Sequence, residues 1–212
     1  MKKLVIIGVG GFGRGVAWLV ERVNRVHPTW NLIGFVDDNT ELHGKIIGGY
    51  PVLGPCHWLD EHKNDVYAIC AVGASKTRKK IINRLDGIKF ATLIDPSVIM
   101  SDRVSIGNGS IICAGTIITV DIIIGSHVIV NLDCTIGHDA ILRDFVTLYP
   151  SVNVSGNCEL EECVEMGTGA QVIQGISVGA GTIVGAGAVV IKDLPGECTA
   201  VGCPARPISD KR

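Results

Sequence analysis

Every sixth residue from Ile106 to Val190 is aliphatic: Ile106, Ile112, Ile118, Ile124, Val130, Ile136, Leu142, Leu148, Val154, Leu160, Met166, Val172, Val178, Val184 and Val190. If about a third of positions carried such residues at random, the unbroken series would arise with odds on the order of one in ten million. Two residues before each member runs a second series of small or β-branched residues, including Val104, Ser110, Thr116, Cys134, Ala140, Cys158 and Ala188. A helix cannot use this spacing, because a six-residue step turns it by roughly 600° and smears the stripe around its axis. Short strands separated by turns can use it. Three such faces per coil make a triangular parallel β-helix, in which each coil buries its aliphatic shelf only against its neighbours. Glycine follows the aliphatic residue at Gly107, Gly125, Gly137, Gly167, Gly179 and Gly185. There the expected reason is a turn that needs glycine's backbone freedom.

The first ninety residues follow a different rule. The apolar run Leu4 to Ile7 leads into Gly8-Val9-Gly10-Gly11-Phe12-Gly13 and then into a helical stretch through Trp18, Leu19 and Val23. A second strand, Leu32 to Val36, ends in Asp37-Asp38, and a third, Tyr67 to Val72, runs into Gly73. Alternation of strand and helix predicts a parallel sheet. Gly8, Gly10 and Gly13 fit the G-x-G-x-x-G spacing that lets a phosphate approach backbone N–H groups at a helix N-terminus. A dinucleotide needs two mononucleotide halves, and ninety residues supply barely one, so NAD is not the expected ligand. The chain is therefore divided at residues 1–90 and 91–212, an α/β Rossmann-like domain followed by an all-β parallel β-helix.

Charge and cysteine usage narrow the partners. With 19 Lys and Arg against 21 Asp and Glu, the net charge is −2, and no basic surface is offered to nucleic acid. Eight cysteines lack a C-x-x-C pair or other zinc spacing, so free thiols and no metal are expected. The apolar run near Met1 is too short for a signal peptide or a bilayer span. A cytoplasmic chain without a transmembrane segment is the expectation.

Among side chains that could act as a general base near neutral pH, histidine is the natural choice. His27, His43, His57 and His62 lie outside the repeat, which leaves His127 and His138. Only His138 is followed by a carboxylate, Asp139, which could fix the ring tautomer and support the imidazolium. A zinc site of three histidines would need one more than the repeat carries. Cys134 and Cys158 fall in the inward series and read as packing residues, and Ser151 and Ser155 have no paired base nearby.

The hexapeptide repeat, joined to a small Gly-rich α/β domain over essentially the full length, resembles the bacterial sugar acetyltransferases of the bacillosamine, perosamine and sialic acid pathways. That resemblance implies a left-handed β-helix, a homotrimer with active sites in the grooves between copies, acetyl-CoA as co-substrate and direct attack without an acetyl-enzyme. It implies that a nucleotide-linked amino sugar is bound by Gly10, Gly11, Phe12, Asp37, Asp38 and Gly73, with Asn131 near the acceptor group. Phe12 stands where some members carry His. The family's catalytic His falls at His138, and its following carboxylate, often Glu, is Asp139. Thr147, Gly156, Gly167, Thr168 and Ala186 match CoA contacts, with Thr147 where some relatives have His. Base, thioester and groove are common to N- and O-acetylation, so O-acetylation of sialic acid or another polysaccharide precursor stays open. A non-catalytic β-helix scaffold is the rival of another class, but it gives no reason for a His-Asp pair.

Overall fold

The computed structural model describes residues 1–208 and separates into two compact units. One comprises Met1–Gly73 with Thr77–Pro96, the other Ala74–Lys76 with the chain from Ser97 onward.

The first unit is a six-stranded sheet. Its strands are β1 (Lys2–Ile7), β2 (Trp30–Val36), β3 (Ile46–Ile47), β4 (Tyr50–Gly54), β5 (Tyr67–Cys70) and β6 (Lys89–Phe90), in the order β3-β4-β2-β1-β5-β6. All pairings are parallel except β3 with β4. β3 and β6, of two residues each, are too short to be read from the sequence pattern, and β4 is not among the strands expected from it. Leu4, Val5, Ile6 and Ile7 are all buried, as a strand covered on both faces requires. Helix α1 (Gly11–Val26) buries Val16, Ala17, Leu19 and Val20 on one stripe. Asn24 near its end fixes the return to β2: its amide donates to the Trp30 carbonyl at 2.7 Å and accepts from the Thr29 and Trp30 N–H groups at 3.0 Å each. Because β1 lies between β2 and β5, the strand order reverses there, and the carboxyl ends of these strands frame a crevice.

The second unit is the left-handed parallel β-helix. Two-residue strands stack on three faces, and each strand pairs with the one a full coil later, as Ile117↔Thr135 and Thr135↔Asn153 illustrate. An antiparallel pair, Thr199–Val201 with Arg206–Ile208, closes the stack. Ile112, Ile118, Ile124, Val130, Ile136, Leu142, Leu148, Leu160, Met166, Val172, Val178, Val184 and Val190 are at most 2% exposed. Polar members of the inward series are satisfied by the coil itself. The Ser110 hydroxyl donates to Gly125 O at 2.9 Å, Thr116 to Asn131 O at 3.2 Å, and the Cys134 and Cys158 thiols to Tyr149 O and Ile173 O at 3.3 and 3.1 Å.

The glycines after the aliphatic position turn out to have a different purpose from the one expected. None of Gly107, Gly125, Gly137, Gly167, Gly179 and Gly185 has a positive φ; each is small because the next coil passes too close. A Cβ on Gly137 would lie 2.5 Å from the Gly156 nitrogen, and one on Gly167 would lie 2.6 Å from the Ala186 nitrogen. The left-handed residue sits three positions after the aliphatic one. Glycine fills it at Gly109, Gly115, Gly169, Gly175, Gly181 and Gly187, and Asp121, His127, Asp133, Asp139, Phe145, Ser151, Asn157 and Cys163 occupy it elsewhere at φ between 54 and 61°. Asp and Asn tolerate that region best among residues with a side chain.

Candidate active site

In the α/β unit the glycines divide the work. Gly8 has φ +94°, and a Cβ on Gly13 would sit 2.0 Å from the Gly8 carbonyl oxygen, so both are demanded by the turn. Around Gly10 and Gly11 a Cβ would meet nothing within 4 Å. Their smallness leaves open space at the start of α1, whose N-cap, Gly10, makes no side-chain capping hydrogen bond. Orphan N–H groups at such an end attract phosphate. Phe12 is half-buried on the first turn.

Asp37 and Asp38 behave differently despite being adjacent. Asp37 accepts the Val9 N–H at 3.1 Å and the Asn39 N–H at 3.0 Å, so each carboxylate oxygen holds backbone, and the Val9 bond pins the Gly-rich turn. Asp38 is exposed and accepts the Cys56 N–H at 2.9 Å, a bond that holds its carboxyl below the usual carboxylate range. The crevice beside them is a cavity of about 150 Å³ lined by Ile7, Gly8, Asp37, Asp38, Cys56, Val72 and Ile81. A second of about 190 Å³ brings His57, Asp60 and Arg84 to Asp38 and Cys56. Nothing in the sequence spacing singles out Cys56, His57 or Arg84, because Cys56 and His57 come from one loop and Arg84 from another. Arg78 is fully buried and donates to the carbonyls of Val72 and Gly73 at 2.7 and 2.9 Å, fixing the loop that carries Gly73.

On the solenoid, His138 and Asp139 occupy the turn that leaves the face built by Thr135–Ile136, Asn153–Val154 and Gln171–Val172. Both are exposed, and His138 Nδ1 lies 2.7 Å from Asp139 Oδ2. Asp139 is the left-handed residue of this turn, φ 58°, and its carboxylate makes the contact although it is one carbon shorter than a Glu would be. With Nδ1 engaged, Nε2 is the atom left to handle a proton. His127 has the opposite setting: 8% exposed, stacked on Phe145 at 5.2 Å and packed over Gly109.

The remaining solenoid positions fall into two groups. Asn131, Gly167, Thr168 and Ala186 lie on the turn entering that same face, whereas His138, Asp139 and Gly156 lie on the turn leaving it. One chain thus carries the two groups on opposite sides of a face. Thr168 and Ala186 are exposed and Asn131 half-buried, while Thr147 is only 1% exposed. Thr147, the outward residue of its strand, is thus covered within this chain. Gly156 is also buried, beneath the His138 ring.

Burial also disfavours the thiolate at three of the cysteines. Burial pushes the Cys56 thiol up to about 12 and those of Cys70 and Cys134 up to about 11, far from the thiolate a nucleophile requires. All eight cysteines are free. A larger open recess, about 490 Å³, lies on another turn of the solenoid among Arg143, Asp144, Glu159, Glu161, Glu162 and Ala180. Its carboxylates are engaged locally, Glu159 by Arg143, Glu161 by the Ala180 N–H and Asp144 by the Ser126 N–H. Among the described residues no cluster of His, Cys, Asp or Glu could hold a metal ion, and no helix is long and apolar enough to cross a membrane.

Comparison with known proteins agrees with this fold. Residues 3–85 match the family model described as the PglD N-terminal domain. GDP-perosamine N-acetyltransferase of Escherichia coli O157:H7 is 31% identical over 209 residues, covering 95% of this chain and 94% of that protein. The acetyltransferase domain of PglB from Neisseria gonorrhoeae superposes with a TM-score of 0.91 at 34% identity, covering 98% of this chain and 100% of that one. PerB from Caulobacter crescentus, solved in complex with CoA and GDP-perosamine, gives 0.86 at 31% identity over 99% and 98% of the two chains. A Gly-rich α/β unit, an aliphatic β-helix and full-length likeness to these enzymes thus converge, and the chain belongs to the hexapeptide-repeat sugar acetyltransferases and is an acyltransferase.

Proposed function

We propose that this chain transfers the acetyl group of acetyl-CoA to the amino group of a nucleotide-linked amino sugar, with His138 as general base. The observation that carries the reading is the exposed His138–Asp139 pair at 2.7 Å, which leaves Nε2 available on the solenoid edge. The acceptor nitrogen attacks the thioester carbonyl carbon while Nε2 takes its proton. The tetrahedral intermediate collapses by breaking the C–S bond, and the departing thiolate recovers that proton from the imidazolium. Asp139 stabilises the imidazolium between the two transfers. Direct attack is supported by the raised thiols of Cys56, Cys70 and Cys134, which are poor candidates for an acetyl-enzyme.

The α/β unit holds the nucleotide sugar. Gly10 and Gly11 admit its phosphates to the start of α1, Phe12 covers them, and Gly73 and Asp38 border the crevice, with Asp37 holding the turn in shape. Thr168 and Ala186 take CoA along the solenoid edge, Gly167 keeps the coils close there, and Asn131 lies on the same turn toward the acceptor group. Since these residues and His138 flank opposite sides of one face, a complete site uses two copies, which favours a homotrimer. Both substrates are cytoplasmic metabolites, and we place the enzyme there.

The test is free-thiol release from acetyl-CoA with a panel of GDP-, UDP- and dTDP-linked 4-amino sugars beside sialic acid. We expect turnover of one amino sugar and, for His138→Ala, a kcat lower by about 10²–10⁴-fold with unchanged thermal stability. Turnover of a hydroxyl acceptor alone would replace the reading by O-acetylation, and a fully active His138→Ala would remove the base.

A further inference from the structure

Resting on that reading of His138, we infer that Gly156 is a positioning residue for the base, holding the imidazole against Asp139 by leaving room for it, and is not a contact to CoA. A Cβ built on Gly156 would lie 2.6 Å from both His138 Cε1 and Nε2 and 3.0 Å from Cδ2. The ring thus occupies the space that any side chain at 156 would take.

The backbone cannot retreat to make space. One coil is bonded to the next on both sides of this point: the Asn157 N–H donates to His138 O at 2.7 Å, and the Gly175 N–H donates to Gly156 O at 3.1 Å. On the coil below, Gly137 lies so close that its own Cβ would meet the Gly156 nitrogen at 2.5 Å. The ring, the free end of a side chain that is 53% exposed, is therefore what yields. Swinging it outward about its side-chain torsions carries Nδ1 away from Asp139 Oδ2 and breaks the 2.7 Å contact. Gly156 has no positive φ, so alanine costs it nothing in backbone conformation. Gly156→Ala is in this respect a purely steric probe of ring position.

The experiment uses the full chain carrying Gly156→Ala, alone and combined with His138→Ala. Steady-state kinetics with acetyl-CoA and the accepted amino sugar are expected to show kcat lower by about 10²-fold, the low end of what a positioned base supplies, with KM for acetyl-CoA changed by less than about twofold. The double variant should lose no more activity than His138→Ala alone, since both changes remove one function. It should also melt at a higher temperature than Gly156→Ala alone, because the ring that alanine collides with is gone; this arm reads even if the single variant folds poorly. In the free protein, 15N NMR of the imidazole should show the proton fixed on Nδ1 in the parent chain and shared between tautomers in Gly156→Ala. A rise in KM for acetyl-CoA at unchanged kcat, or an unaltered His138 ring signal, would overturn the inference. The ring signal is read without turnover, so failure of every sugar acceptor would sink the functional reading while this test still decided the role of Gly156.

Discussion

The two units are held together by opposite means. In the solenoid nearly all order comes from repetition: an aliphatic shelf every six residues, inward hydroxyls and thiols bonded to carbonyls fifteen residues ahead, and glycines where successive coils touch. In the α/β unit the irregular segments are set by single polar side chains, with Asn24 closing the α1–β2 return, Asp37 holding the Gly-rich turn and Arg78 holding the loop at Gly73. Apolar contacts repeated many times tolerate the loss of polar ones, whereas a loop with one clamp depends on it. The proposed function follows the same division. On that reading the solenoid offers a rigid edge for a base, and the α/β unit offers a crevice whose lining comes from several loops.

The sharpest way to break this contrast is steric. Gly137→Val places branched carbons where the Gly156 nitrogen already stands 2.5 Å from an ideal Cβ, and backbone cannot step aside as a side chain can. Overpacking of this kind should destabilise the solenoid by about 3 kcal/mol or more, read by chemical denaturation followed by circular dichroism. A loss below about 1 kcal/mol would mean that coil contact is not what these glycines provide, and the account of the repeat would have to change.

How legible all this was depends on how far apart in sequence the cooperating residues lie. The solenoid could be read outright because its contacts recur at fixed spacing, so one rule covers Ile106 to Val190. His138 stood out because its partner is its neighbour. The purpose of Gly137 could not be read, since backbone freedom and close approach leave the same residue in the sequence, and only the coil at Gly156 distinguishes them. Yet a signal for the left-handed row was present: Gly115, Asp121, Asp133, Asp139, Asn157, Gly169 and Gly175 share one six-residue register. In the α/β unit the Gly-rich turn was legible and the crevice was not. Cys56, His57 and Arg84 reach Asp38 only through the sheet order, and the differing duties of Asp37 and Asp38 depend on which backbone N–H each one meets.

A second test addresses the clamps. Asn24→Ala removes one donor and one doubly used acceptor from the part-buried return between α1 and β2. Leaving those backbone groups without their partner should cost about 2 kcal/mol, measured as a shifted urea midpoint, and amide hydrogen exchange should rise at Thr29 and Trp30. Protection at the solenoid strands should stay as before. Uniform loss of protection through both units would show that they unfold as one and would weaken the contrast drawn between them.

The smallest expected effect lies on the outer surface of the solenoid. Arg143 reaches Glu159 with Nε at 2.7 Å and a second guanidinium nitrogen at 2.6 Å, a geometry that would suggest a strong tie. Both side chains are nevertheless well exposed, at 54% and 37%, so water and salt screen the pair and little charge is desolvated on forming it. Beneath it Leu142 and Leu160 are fully buried, and strand pairing joins Ile141 to Glu159 through the backbone. The stack therefore does not depend on the ion pair, and Arg143→Gln should cost no more than about 0.5 kcal/mol, with the difference vanishing in 1 M salt. A cost near that of Asn24→Ala would instead make the surface charges of the recess part of what holds the coils in register. Repetition alone would then no longer explain the stability of the solenoid.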